Sequence, residues 1–231
     1  MKFRSIFGRS SNEGFAHAMV SSFPPTLQPP DPLVRFFHWL EDNSLAIKSP
    51  HTGQWYAKLD HAIERASMVV APVDPQFAVA WLNDQSREVD GRTAMFVQTG
   101  GDGSVAGLWK DAEGNLSFVH HGSGSGSTLL CKLTDDPVDF LRLLSIGYEE
   151  LCWENGFELS PDEAYRQGWA EDEEDISAGP VPPLRLQRWV AESFGVSVPR
   201  TASEIIKSTA GMDDEESDDP FWQWIRKIQS Q

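Results

Sequence analysis

Between Ala94 and Trp153 the chain repeats one pattern: a short apolar run, then a turn rich in glycine. The runs are Met95–Thr99, Val105–Trp109, Leu116–His120 and Thr128–Leu133, and the turns are GGDG at 100–103, Asp111–Asn115 and GSGSGS at 122–127. Runs this short, closed by residues that accept a positive φ, predict antiparallel strands joined by hairpins. The glycine-serine stretch is expected to be a flexible connection. The last run passes into a helix, with Asp135 or Asp136 as its cap and Pro137 in its first turn. Val138, Leu141, Leu144, Ile146 and Leu151 carry its apolar faces toward Trp153, with Gly147 as a point of kinking or shortening.

The flanks are helical in pattern. Residues 1–30 form an irregular lead-in, because prolines 24, 25, 29 and 30 forbid a long helix. Asp31 as cap, Pro32, and the spacing of Leu33, Phe36, Phe37 and Leu40 predict a helix over 31–42. The runs LAIK and QWYAKL, around His51–Thr52–Gly53, predict a hairpin, and MVVAPV has strand character. Pro75–Asn83 is helical in pattern, and Asn83–Arg92 is polar and loop-like. Beyond 154, Ser160 with Glu163 has the form of a capping box. Leu184–Phe194 is an amphipathic helix stopped by Gly195, Thr201–Ser208 is a short helical segment, and Pro220 opens an aromatic helix, FWQWIRKI. The expected architecture is α+β: a bent antiparallel sheet of about four to six strands flanked by helices. Its parts are a lead-in (1–30), an α+β domain (31–155) and an acidic, mostly helical extension packing on it (156–231).

Charge narrows the partners. Thirty-five acidic against nineteen basic residues give a net charge of −16, which repels nucleic acid and anionic membrane and favours a basic partner. No stretch approaches the roughly 20 apolar residues of a membrane span, and MKFRSIFGRSSNEG is not a signal peptide. The expected location is the cytoplasm.

Catalytic and metal motifs are not found. The glycine-serine stretch lacks the GK[ST] ending of a phosphate loop and lies between two strands. His120 and His121 are adjacent on a strand, so they point to opposite faces and do not chelate one ion. Cys131 and Cys152 sit among apolar residues, where buried free thiols are expected. Trp109, Trp153, Trp189, Trp222 and Trp224 mostly occupy positions that the strand or helix pattern buries. No catalytic residue, cofactor or metal is therefore assigned. What remains is surface: the acidic runs Glu171, Asp172, Glu173, Glu174, Asp175 and Asp213, Asp214, Glu215, Glu216, with Trp222 and Trp224 as anchors. Two residues apart on a helix, these tryptophans point about 200° apart, so both are buried only if the terminal helix is buried widely or docks on a partner, which makes FWQWI an interface candidate.

The hairpin turns at Gly100–Gly103 and Asp111–Gly114, the strand entering the glycine-serine stretch, and the helix start Asp139–Phe140–Leu141 together resemble the SUKH superfamily. That group includes the fungal Smi/Knr-type cell-wall regulators. The resemblance spans residues 31–155 and implies an α+β domain with a bent antiparallel sheet. It also implies, from the bacterial members, a non-enzymatic immunity protein that neutralises a cognate toxin by binding and occluding it. The alternatives are an intracellular regulatory or scaffold module, and an enzyme whose site is assembled from scattered histidines and carboxylates.

Overall fold

The computed structural model describes residues 14–63, 67–74, 91–168 and 179–230. Seven strands form one antiparallel sheet in chain order: β1 (Ala46–Lys48), β2 (Trp55–Ala57), β3 (Val69–Val70), β4 (Thr93–Gln98), β5 (Val105–Lys110), β6 (Leu116–His121) and β7 (Leu130–Thr134). The seventh strand comes from the two-residue β3, which joins the β1–β2 hairpin to β4. Register shifts between Met95 and Val97 and between Phe118 and Val119 bend the sheet. Among the described residues six helices accompany it: α1 (Phe15–Ser22), α2 (Asp31–Asp42), α3 (Pro137–Ser145), α4 (Pro161–Gly168), α5 (Leu184–Phe194) and α6 (Pro220–Gln229).

The long strands are covered on both faces, which is why they are apolar nearly throughout and do not alternate cleanly. Ala94, Leu108 and Phe118 lie side by side across β4, β5 and β6. On that face Phe118 stacks on Phe140 of α3, with ring centroids 4.3 Å apart. Phe96 meets Phe23, Phe37 and Phe140. Trp109 points the other way and meets Phe221 and Trp224 of α6. Helix α5 extends the first layer, its Trp189 stacked on Trp39 of α2.

Two local expectations change. The lead-in contains α1, whose first N–H groups, Phe15 N and Ala16 N, donate to the Glu41 carboxylate of α2 at 2.9 and 3.3 Å. Gly14 precedes it with no capping side chain, so the cap comes from a residue 26 positions away, beyond the reach of a local pattern. Helix α3 stops at Ser145 and does not run to Trp153. Gly147 sits at φ +104°, outside helical geometry, and turns the chain away. The expected helix at Pro75–Asn83 and the expected loop at residues 83–90 lie outside the described residues.

The C-terminal extension lies along β7. Ala210 O accepts from Leu130 N, and Met212 N donates to Thr128 O, each at 2.7 Å, so these backbone groups pair at what would otherwise be an open sheet edge. Asp219 caps α6 by accepting from Phe221 N and Trp222 N, and its other oxygen accepts from Lys132 N of β7 at 2.8 Å.

Candidate functional site

The hairpin order brings the two glycine turns together at one end of the sheet. Asp102, in the first turn, accepts from Ser104 N and Ser104 Oγ, from Ser123 Oγ at 2.7 Å and from Ser127 N at 2.8 Å. Partial burial pushes its pKa up, but these four hydrogen bonds outweigh that and hold the carboxyl at about 2. The glycine-serine stretch is therefore tied down. It is not the flexible connection its composition suggests, because a carboxylate from a neighbouring hairpin satisfies its donors.

This knot positions the segment after Gly147. Leu151 N donates to Thr99 O at 2.8 Å, Gly101 N to Glu150 Oε1 at 2.7 Å, and Ser127 Oγ to Cys152 O at 2.6 Å. The approach requires a glycine: a Cβ on Gly100 would lie 2.5 Å from Cys152 Sγ. Held this way, residues 150–153 turn Cys152 inward and Trp153 outward. Trp153 is 43% exposed, and its Nε1 donates to Glu150 Oε2 at 2.6 Å. The two oxygens of Glu150 thus join the GGDG turn to the tryptophan.

Beside Trp153 lies a cleft of about 580 Å³, whose wall includes Glu149, Glu150, Trp153, Asn155 and Tyr165. Among the described residues, no lysine or arginine lines it. Helix α4 forms the opposite side. At its start Ser160 N and Ser160 Oγ donate to the Glu163 carboxylate, which is one half of the expected capping box. A cleft with carboxylates and an aromatic face suits a cationic group.

The buried ionisable groups are structural. His120 is fully buried between Leu129 O, 3.0 Å from Nδ1, and the Thr99 hydroxyl, 2.8 Å from Nε2. A carbonyl only accepts, so Nδ1 carries the proton and Nε2 accepts from Thr99. Desolvation lowers the His120 pKa to about 4, which keeps the ring neutral. Both cysteines are free and buried, and burial pushes their thiols up, Cys131 to about 12. Such thiols are poor nucleophiles. Among the described residues, no group of three or more His, Cys, Asp or Glu side chains is placed to hold a metal ion. Among those residues no helix is long and apolar enough to cross a membrane.

The surface residues singled out from sequence are spread differently. Glu171 to Asp175 lie outside the described residues. Asp213, Asp214, Glu215 and Glu216 are all exposed, in and after a turn where Gly211 N donates to Asp214 Oδ2. Trp222 is only 7% exposed, and its Nε1 donates to Gly211 O. Trp224 is half-buried against Trp109 and Phe221, with the Arg92 guanidinium over its ring. Both tryptophans find places because α6 is embraced by the sheet on one side and the 210–212 segment on another. Neither belongs to the cleft lining. Arg92, Trp109 and Trp224 each bury an N–H without an acceptor, a cost that helix docking has to overcome.

Sequence reading missed Glu149, Glu150 and Trp153. The signal was there as YEELCWEN, two pairs of polar residues around a tryptophan just past a glycine. Extending the helical periodicity through Gly147 put Trp153 on a buried face. Comparison with family models, with curated proteins and with solved structures finds no match to this chain.

Proposed function

We propose that this chain is a non-enzymatic binding module that captures a basic protein, acting in the cytoplasm as an immunity protein that occludes the active site of a toxin domain. One observation carries the reading: an exposed tryptophan beside a carboxylate-lined cleft on a chain of net charge −16. Exposed tryptophans in fixed orientation are frequent anchors of protein interfaces. The surrounding negative field speeds encounter with a basic surface, up to about 10⁸–10⁹ M⁻¹s⁻¹ in favourable cases. A toxin that grips nucleic acid needs such a basic surface. The exposed turn Asp213–Glu216 adds to the same field. The resemblance of residues 31–155 to the SUKH superfamily points the same way. The buried neutral His120 and high-pKa thiols give no support to the enzyme alternative.

The test is isolation of the tagged chain from its native host, together with mixing against the product of the adjacent open reading frame. The expected result is a stoichiometric complex with a basic protein, weakened as salt rises from 50 to 500 mM. Recovery of the chain without any protein partner, and no binding to the neighbouring product, count against the proposal.

A further inference from the structure

We propose that Arg92, Trp109 and Trp224 form a site for one small monovalent anion, of chloride size, between the sheet and α6. Among the described residues, the buried side-chain nitrogens that meet no acceptor are Arg92 Nη2, Trp109 Nε1 and Trp224 Nε1. All three belong to one cluster. The Arg92 guanidinium lies 5.1 Å from the centre of the Trp224 ring, and the Trp224 and Trp109 rings lie 5.6 Å apart. Packing α6 on the sheet does not orphan indoles in general. Trp222, two residues away on the same helix, donates its Nε1 to Gly211 O at 2.9 Å. Buried donors gathered without an acceptor call for a bound one.

The cluster is held in place by its own contacts. Arg92 Nε donates to Lys110 O at 3.0 Å, and Lys110 N donates to Arg92 O at 2.8 Å. Phe221 packs on both indoles, and Trp109 is 3% exposed. Its chemistry is one-sided, because indole and guanidinium groups donate and never accept. A cation is repelled by Arg92. A water can accept from two donors, but its own hydrogens would then face donors and aromatic rings. An anion accepts from all three and offsets the guanidinium charge. The ion pairs among the described residues are Lys132–Asp135, Arg142–Asp139 and Arg200–Glu163, and none of them includes Arg92. A desolvated charge without a counter-charge is costly. The three nitrogens are shut off from solvent, so a monatomic anion suits the site, whereas a carboxylate or oxyanion would have to lift α6.

The experiment uses the full chain in sodium gluconate, with chloride exchanged for gluconate at constant ionic strength. Indole N–H resonances are followed by NMR, and urea unfolding is measured at each composition. The expected result is saturable movement of the Trp109 and Trp224 resonances at millimolar chloride, with Trp153 unmoved. The urea midpoint rises over the same range, because an ion that binds only the folded chain stabilises it. Bromide does the same, and its anomalous signal in crystals lies against the three nitrogens. Arg92→Leu weakens chloride at least tenfold. Trp224→Phe, which keeps an aromatic ring, weakens it severalfold, read from the Trp109 resonance. Identical spectra and midpoints in chloride and gluconate overturn the assignment. So do equal movement of the Trp153 resonance, full chloride binding by both variants, and an ordered water at the three donors in bromide-grown crystals. Bromide found there only at molar concentration is an adventitious ion only and also overturns it. Acetate binding more tightly than chloride would make the cluster a carboxylate receptor and remove the halide site.

Discussion

Two tryptophans beside carboxylates meet opposite fates in this protein. Trp222, next to the acidic turn 213–216, is taken into the core by α6, whereas Trp153, next to Glu149 and Glu150, is left in solvent. The C-terminal strap around Trp222 is held chiefly by ring packing on Trp109 and by backbone pairing along β7. The rim around Trp153 is held by hydrogen bonds that lead back to Asp102, Thr99 and His120. The difference teaches that an acidic, aromatic sequence does not by itself mark a contact surface. The neighbouring backbone decides whether the ring is needed inside.

That contrast can be broken by substitution. The largest effect is expected in the strap: Phe221→Ala removes a fully buried ring between sheet and helix and should cost about 3–5 kcal/mol in urea unfolding. A loss below about 1 kcal/mol would mean that the strap is not part of the cooperative unit.

The rim should answer to acid where the strap packing does not. The His120 pKa is lowered from 6.5 to about 4 by burial, so the unfolded chain takes up this proton first. Its contribution is complete above about pH 6.5 and is lost as pH falls toward 4, by on the order of 3 kcal/mol. Unfolding free energies measured from pH 7 to 4 should show that slope, and His120→Gln should flatten it. A slope unchanged in the variant would assign the acid sensitivity elsewhere.

Asp102→Asn comes next. It replaces an acceptor of four hydrogen bonds by a group that is half donor, at a cost of about 2 kcal/mol at pH 7. The parent carboxyl, held at about 2, stabilises the fold above pH 4 and loses that contribution as pH falls toward 2. The variant should lose this acid limb and also show faster hydrogen exchange at Leu151 N, because the rim is loosened. Retained protection there would show that the knot does not position the segment carrying Trp153.

The smallest effects sharpen the contrast from both sides. Trp153→Leu should change stability by less than about 0.5 kcal/mol while weakening capture of the proposed partner. In halide-free buffer, Trp224→Phe removes one of the buried N–H groups without an acceptor and keeps a six-membered aromatic ring, so relief of that N–H offsets part of the lost packing and the net change should stay within about 1 kcal/mol. A drop of more than about 1 kcal/mol would point to an acceptor for that N–H in solution.

The strands were legible because hairpins are local: Gly103 and Gly114 adopt positive φ where the turns demand it, and the apolar runs between them pair in the expected order. Helix starts at Asp136, Ser160 and Asp219 were equally local, each written in a cap and a following proline. Helix α1 was not, since its cap is Glu41. The rim was missed for a related reason, since Gly147 breaks a periodicity that the apolar residues beyond it continue only in one dimension.

The amino-acid sequence alone determined the α+β class, the order of the long hairpins and the strong negative charge, because propensity, turn chemistry and charge act over a few residues or over the whole surface. The tertiary structure alone decided that the glycine-serine stretch is anchored by Asp102, that Trp222 is core, and that Trp153 stands beside a cleft. Those outcomes depend on which backbone groups distant segments present to one another, and a one-dimensional pattern does not carry that distance.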